Sequence, residues 1–237
     1  MSLPTPVRCV AIVAYQGVLA DESTAFRSVL ERLPDVRVFT VGARLGPVAG
    51  PGGLQVVDTL FDEIDAADVV VVPGGLGSHR QPEIVRWVHR VRPRWVLASS
   101  TGSALLAAGG LLRGRTATTH WLAKPLLERH GAVVSDARLA IDGPFVTCAG
   151  LASTFDAADV VVRAVGGAAL VRAIREEVRA AAGAERPACG RLPRRAGLRA
   201  RAALRRQQPS TTRSPDDSSW RPRADAPVEV ELELEER

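Results

Sequence analysis

The sequence predicts an α/β protein, a three-layer sandwich around a mostly parallel, doubly wound sheet. Three observations predict it. Short apolar runs rich in Val alternate with longer runs at helical spacing from residue 7 to about residue 182. Residues 67–72 end in four consecutive Val, the pattern of a strand covered on both faces. Residues 95–98 pass through small polar residues directly into an Ala- and Leu-rich helical run, a sharp strand-to-helix joint.

The elements follow in order. Residues 7–14 are an apolar first strand, and in residues 21–32 the positions Ala25, Phe26, Val29, Leu30 and Leu33 fall on one helical face. Residues 35–41 form a second strand. Residues 47–60 place Gly50-Pro51-Gly52-Gly53 between Val-containing arms, which predicts a hairpin. Pro73-Gly74-Gly75 ends the Val strand, and residues 82–91 form a helix burying Ile84, Trp87, Val88 and Val91. After the joint at Ser100 come a short strand at 115–118 and a helix at 121–129 whose end is marked by Gly131. Residues 138–141 and 145–148 flank a turn at Asp142-Gly143-Pro144 as a hairpin, and two helices, 153–165 and 168–182, close the domain. Right-handed crossovers then bring the loops at 15–22, 73–79 and 99–102 to the carboxyl edge of the sheet, where ligands gather.

Composition narrows the function. Hydrophobic residues at 46% and charged residues at 24% are ordinary for a water-soluble domain. Neither a signal peptide nor a membrane-spanning run is visible, so a cytoplasmic protein is expected. Cys9, Cys148 and Cys189 are few and widely spaced, which argues for reduced thiols and against a disulfide framework or a zinc site. The net charge of +5 belongs mostly to residues 186–237, where 12 Arg face 8 acidic residues. Residues 186–206 hold eight Arg and no acid, and the remainder is rich in Ser, Thr, Pro and Asp before an alternation of apolar residues with Glu. The expected division is therefore a domain at 1–184 and an Arg-rich, disordered tail at 185–237. With no aromatic interleaving, turn signature or zinc spacing in that tail, nucleic acid is not an expected partner. A shifted reading frame is a further explanation of its abrupt change of composition.

Ser100 stands at the tip of the strand–helix joint, where a sharp turn exposes one side chain and aims the first free helix N–H groups at a ligand. A plain helix cap is the alternative.

Four motifs, in order and at sensible spacing, resemble the ThiJ/PfpI superfamily over residues 7–182. They are Val71-Val-Pro-Gly-Gly75; the long block Ser99-Ser-Thr-Gly-Ser-Ala-Leu-Leu-Ala-Ala-Gly-Gly-Leu-Leu-Arg-Gly-Arg-Thr-Ala-Thr-Thr-His-Trp121; Asp142-Gly-Pro-Phe-Val-Thr-Cys-Ala-Gly150; and Phe155-Asp156. The resemblance implies a flavodoxin-like, class I glutamine amidotransferase-like fold. The Thr-Gly and Ala-Thr-Thr-His-Trp wording is closest to isonitrile hydratase-like enzymes and to the amidase-like effector domains of AraC-type regulators. Nothing after Ala182 resembles the two helix-turn-helix units of such a regulator.

The resemblance also implies roles. Ser100 occupies the position of the family's nucleophilic Cys, a large chemical change, because a hydroxyl needs an adjacent base where a thiol can ionise unaided. Glu22 falls at the family's acidic position and would manage a proton; as a helix-start acid it also has a purely structural reading. His120 matches a histidine placed near the nucleophile, as base or as a structural side chain. Gly75 and Thr101 would present backbone N–H groups to a developing oxyanion, although Pro-Gly-Gly can be required by geometry alone. The expected activity is that of a small-molecule hydrolase or hydratase, needing no metal or organic cofactor, with a non-catalytic ligand sensor as the competing reading. The expected partners are a small molecule and a second copy of the chain, with no membrane.

Overall fold

The structure, a computed structural model, describes residues 6–78 and 81–184. Its strands are β1 (Cys9–Val13), β2 (Arg37–Gly42), β3 (Gly46–Gly50), β4 (Gly53–Val57), β5 (Thr59–Leu60), β6 (Val69–Val72), β7 (Trp95–Ser99), β8 (Thr116–Ala117), β9 (Val133–Val134), β10 (Leu139–Asp142) and β11 (Phe145–Cys148). Its helices are α1 (Ala20–Leu30), α2 (Pro82–Val91), α3 (Thr101–Ala108), α4 (Lys124–Arg129) and α5 (Leu151–Ala184). Seven strands form the central sheet in the order β10-β11-β7-β6-β1-β2-β5, parallel except for the β10–β11 pair. The expected α/β sandwich with a doubly wound sheet is the fold observed. The tail at 185–237, with Cys189, lies outside the described residues, as does His79.

Strand alternation divides the core into two layers. Ala11, Val13, Val70, Val72, Val96 and Ala98 face α2, α3 and α4. Val10, Ile12, Val69, Val71, Trp95, Leu97 and Cys148 face α1 and α5. Helix α1 fits the second layer because Phe26, Val29 and Leu30 recur at helical spacing and are fully buried. On α2 the buried face is Ile84, Trp87, Val88 and Val91, and Pro82 sits in its first turn, where a missing N–H costs nothing.

One detail departs from the sequence expectation, one agrees with it and one adds to it. Residues 121–129 are a 3-10 turn (Trp121–Ala123) followed by α4, because Pro125 opens a new helix instead of continuing the old one. Gly131, at φ +80°, follows His130 as the left-handed residue that stops α4. Cys9 is only partly buried, whereas Cys148 is sealed.

The two closing helices are the halves of α5, broken at Gly166 and Gly167, the latter at φ 67°, ψ −170°. The break is a reversal. Arg175 donates to Asp156 Oδ1 at 3.0 Å and to Asp159 Oδ2 at 2.8 Å. A straight helix would carry Arg175 about 24 Å past Asp159 at 1.5 Å per residue. The second half therefore folds back along the first, burying Ile174 in the layer that holds Ala157, Val160 and Val161. Asp156, which also pairs with Arg138 at 2.9 Å, is thus a packing and pairing residue.

Candidate active site at the strand–helix elbow

The carboxyl ends of β1, β6 and β7 meet at one edge. The loop after β1 is stitched to the glycine turn after β6: Leu19 N–H donates to Gly74 O at 2.8 Å, and Leu76 N–H to Gly17 O at 2.9 Å. That turn is tied in turn to the start of α3, where Gly75 N–H donates to Thr101 Oγ1 at 2.9 Å and Thr101 Oγ1 donates to Gly75 O at 3.0 Å.

Ser100 lies between β7 and α3 with φ 51° and ψ −131°, a backbone conformation that side-chain-bearing residues rarely adopt. The surroundings hold it there from both sides. Its N–H donates to Cys148 O at 2.9 Å, while its carbonyl accepts from Thr119 Oγ1 at 2.5 Å and from Ser103 N–H at 3.3 Å. A Cβ on Gly74 would lie 2.7 Å from Ser100 Cβ and 3.1 Å from both its Oγ and Thr101 N, so only glycine fits against the elbow. The Ser100 hydroxyl itself has no hydrogen-bond partner among the described residues. Thr101 N–H, at the first position of α3, is likewise without an acceptor there.

Glu22 projects from the first turn of α1 and is 3% exposed. Both donors it receives fall on one oxygen: Gly74 N–H at 2.8 Å and Ser99 Oγ at 2.6 Å reach Oε2. Burial pushes this carboxyl above its ordinary value, opposed by those two hydrogen bonds and by the charge of His120, which favour the ionised form. Glu22 is therefore joined to the glycine turn and to the end of β7, but makes no hydrogen bond to Ser100. His120 is half-buried and uses Nδ1 to accept from Leu122 N–H at 3.4 Å, capping the 3-10 turn; its ring leans on Trp121 with centroids 5.7 Å apart. No hydrogen bond joins it to Ser100; Thr119, the residue before it, makes the contact instead.

Of the residues singled out in the sequence, Gly75 and Thr101 bond to each other, Ser100 adjoins Thr101, and Glu22 reaches the same turn through Gly74. Sequence reasoning overlooked three participants. Gly74, not Gly75, abuts Ser100. Tyr15 donates its hydroxyl to Pro73 O at 3.0 Å and lies so close under Gly75 that a Cβ there would be 2.7 Å from that oxygen. Ser99 is the third: alternation along β7 puts it on the face of Trp95 and Leu97, the face toward α1. Cys148 stands opposite Ser99 in register, its thiol pushed up to about 12 by burial and then by the Glu22 charge.

A cavity of about 430 Å³ is lined by Tyr15, Gln16, Arg44, Phe61, Gln81 and Glu83 among others; Ser100 and Glu22 are not in its walls. Among the described residues no cluster of three or more His, Cys, Asp or Glu could hold a metal ion.

A family model described as the DJ-1/PfpI family matches residues 8–164. The chain belongs to that family. It is 38% identical over 134 residues to the isonitrile hydratase of Pseudomonas putida, a match taking in 54% of this chain and 59% of that protein. It is 31% identical over 138 residues to the HTH-type transcriptional regulator CdhR of Pseudomonas aeruginosa, covering 55% of this chain and 41% of that one. The chain thus matches well under two thirds of the length of either relative. Among solved structures, a ThiJ/PfpI family protein from Pseudomonas syringae superposes with a TM-score of 0.70 at 22% identity, over 74% of this chain and 76% of that one, which shows the shared DJ-1/PfpI fold.

Proposed function

We propose that this DJ-1/PfpI protein is a small-molecule hydrolase or hydratase, of isonitrile hydratase type, in which Ser100 stands where a reactive thiol would. The observation that carries the reading is the positive-φ backbone of Ser100 pressed against Gly74: strain of this kind persists where it holds a reactive side chain in place. On an isonitrile, Ser100 Oγ would bond to the terminal carbon and that carbon would take up a proton. Water would then displace the serine and regenerate its O–H, leaving an N-substituted formamide. Glu22 is the acid that supplies and recovers the proton. Negative charge at the reacting centre would be met by Thr101 N–H, and by Gly75 N–H once the Thr101 hydroxyl yields it. No step calls for a metal or an organic cofactor.

A second reading is a ligand-sensing domain that has kept the elbow and its neighbours and given up turnover. The bare Ser100 hydroxyl favours it: neither Glu22 nor His120 hydrogen-bonds to it, so no base is in place to activate it. A panel of isonitriles, amides and aldehyde adducts separates the two. Turnover by the purified chain that disappears in Glu22→Gln supports the enzyme. Ligand-dependent thermal stabilisation without product, together with activity created by Ser100→Cys, supports the sensor and overturns the enzyme.

The folding unit is read as residues 1–184 and the partner as a small molecule. A homodimer is inferred from kinship with the family alone, with light scattering as its check. No described helix is long and apolar enough to cross a membrane; residence in the cytoplasm is part of the proposal.

A further inference from the structure

The acid of this site is held by two donors, one of them a side chain that takes no part in the proposed chemistry. Ser99 is completely buried at the last position of β7, on the strand face that looks toward α1. Its hydroxyl donates to Glu22 Oε2 at 2.6 Å, and the same oxygen receives Gly74 N–H at 2.8 Å. Two donors from different elements, 77 and 52 residues away in sequence, fix the plane and the edge of the carboxyl. The other oxygen, Oε1, receives no hydrogen bond among the described residues and faces Gly150, where a Cβ would stand 3.8 Å away. Gly150 follows the strand whose Cys148 carbonyl holds the Ser100 N–H.

The geometry points to Ser99 as a positioning residue: by holding Oε2 it commits Glu22 to exchange protons through Oε1 alone, on the side of the carboxyl that looks toward the end of β11. The inference rests on the reading of Glu22 as the acid of the site. The other ionisable groups facing Glu22 are Tyr15 from the loop after β1, Cys148 from β11 and His120 from the segment before α4. Tyr15 and Cys148 are kept protonated by burial and by the carboxylate itself, and His120 draws the other way. Ser99 is the side chain that donates a hydrogen bond to the acid.

The test is a titration needing no substrate. The full chain is labelled with glutamate carrying 13C at the side-chain carboxyl, the Glu22 resonance is assigned by its loss in Glu22→Gln, and its midpoint is followed with pH. A hydroxyl donating to a carboxylate stabilises the charged form, so Ser99→Ala raises the midpoint by about one unit or more, and Ser99→Thr restores it. Native near-UV circular dichroism establishes folding; if Ser99→Ala does not fold, Ser99→Cys, similar in volume and a weak donor, carries the same upward expectation. A midpoint unmoved in a folded variant overturns the inference, because a packing role for Ser99 would leave the proton equilibrium where it was. A flat substrate panel would instead count against the proposed activity and leave the titration result standing.

Discussion

Replacing Ser100 by glycine and, separately, by alanine isolates what the elbow does to the fold. Ser100 holds φ 51° and ψ −131°, a region that is costly for any residue with a Cβ and nearly free for glycine. Backbone strain of this order is worth about 1–3 kcal/mol. Glycine returns about 0.5–1 kcal/mol through the extra freedom of the unfolded chain, which leaves Ser100→Gly more stable than the parent by roughly 0–2.5 kcal/mol. Alanine keeps the Cβ and therefore the strain. It deletes a hydroxyl with no hydrogen-bond partner among the described residues, so Ser100→Ala should stay within about 0.5 kcal/mol of the parent. The assay is urea unfolding of the three proteins at one pH, with slopes compared so that midpoints can be read as stability; a gain of 1 kcal/mol corresponds to about 2–4 °C in Tm for a domain of this size. Both variants would lack any activity that needs the hydroxyl. If Ser100→Gly proved less stable than Ser100→Ala by more than about 0.5 kcal/mol, the elbow would not be strained, and its being held for reactivity would fall.

Two further predictions concern its neighbours. Gly74→Ala puts a methyl 2.7 Å from Ser100 Cβ and 3.1 Å from Thr101 N, contacts that backbone cannot give way to cheaply; a loss of about 1–3 kcal/mol in urea unfolding is expected, and a neutral result would show that the turn can move aside. The Glu22 carboxyl lies above its unfolded value of 4.5 in the folded chain, so the native state binds the extra proton between the two values and stability falls as pH rises through that window. Glu22→Gln, whose amide oxygen still accepts from Ser99 and Gly74, removes that slope; thermal melts should show the parent losing ground to the variant above about pH 4.5, and the opposite trend would refute a raised carboxyl.

The layers of this fold were legible because their signals are local. Four Val in a row at 69–72 announce a covered strand, and Phe26, Val29 and Leu30 announce a buried helical face. Ser100 was found as a joint, since a strand running into helix through small polar residues leaves little choice of geometry. The wiring between elements was not legible. Which oxygen of Glu22 is held, and by whom, depends on the closeness of α1 to the end of β7, a distance set by tertiary packing. Ser99 carried one usable signal, its place in the period-two alternation after Trp95 and Leu97, which puts a hydroxyl on a face otherwise apolar. Choosing Gly74 over Gly75 required the contact itself, because Pro-Gly-Gly reads identically whichever glycine abuts the elbow. The reversal at Gly166-Gly167 was visible as a gap between two helices, but its sharpness is settled by Arg175 reaching Asp156 and Asp159.

That reversal decides where the backbone emerges. The first half of α5 leaves the rim at Leu151 and runs away from it; the second half, laid alongside with Arg175 level with Asp156 and Asp159, travels the same way home. The returning half lies against α1 as well: Arg32, just past the end of α1, pairs with Glu177 Oε2 at 3.5 Å. The second half thereby braces the helix whose first turn carries the acid of the site.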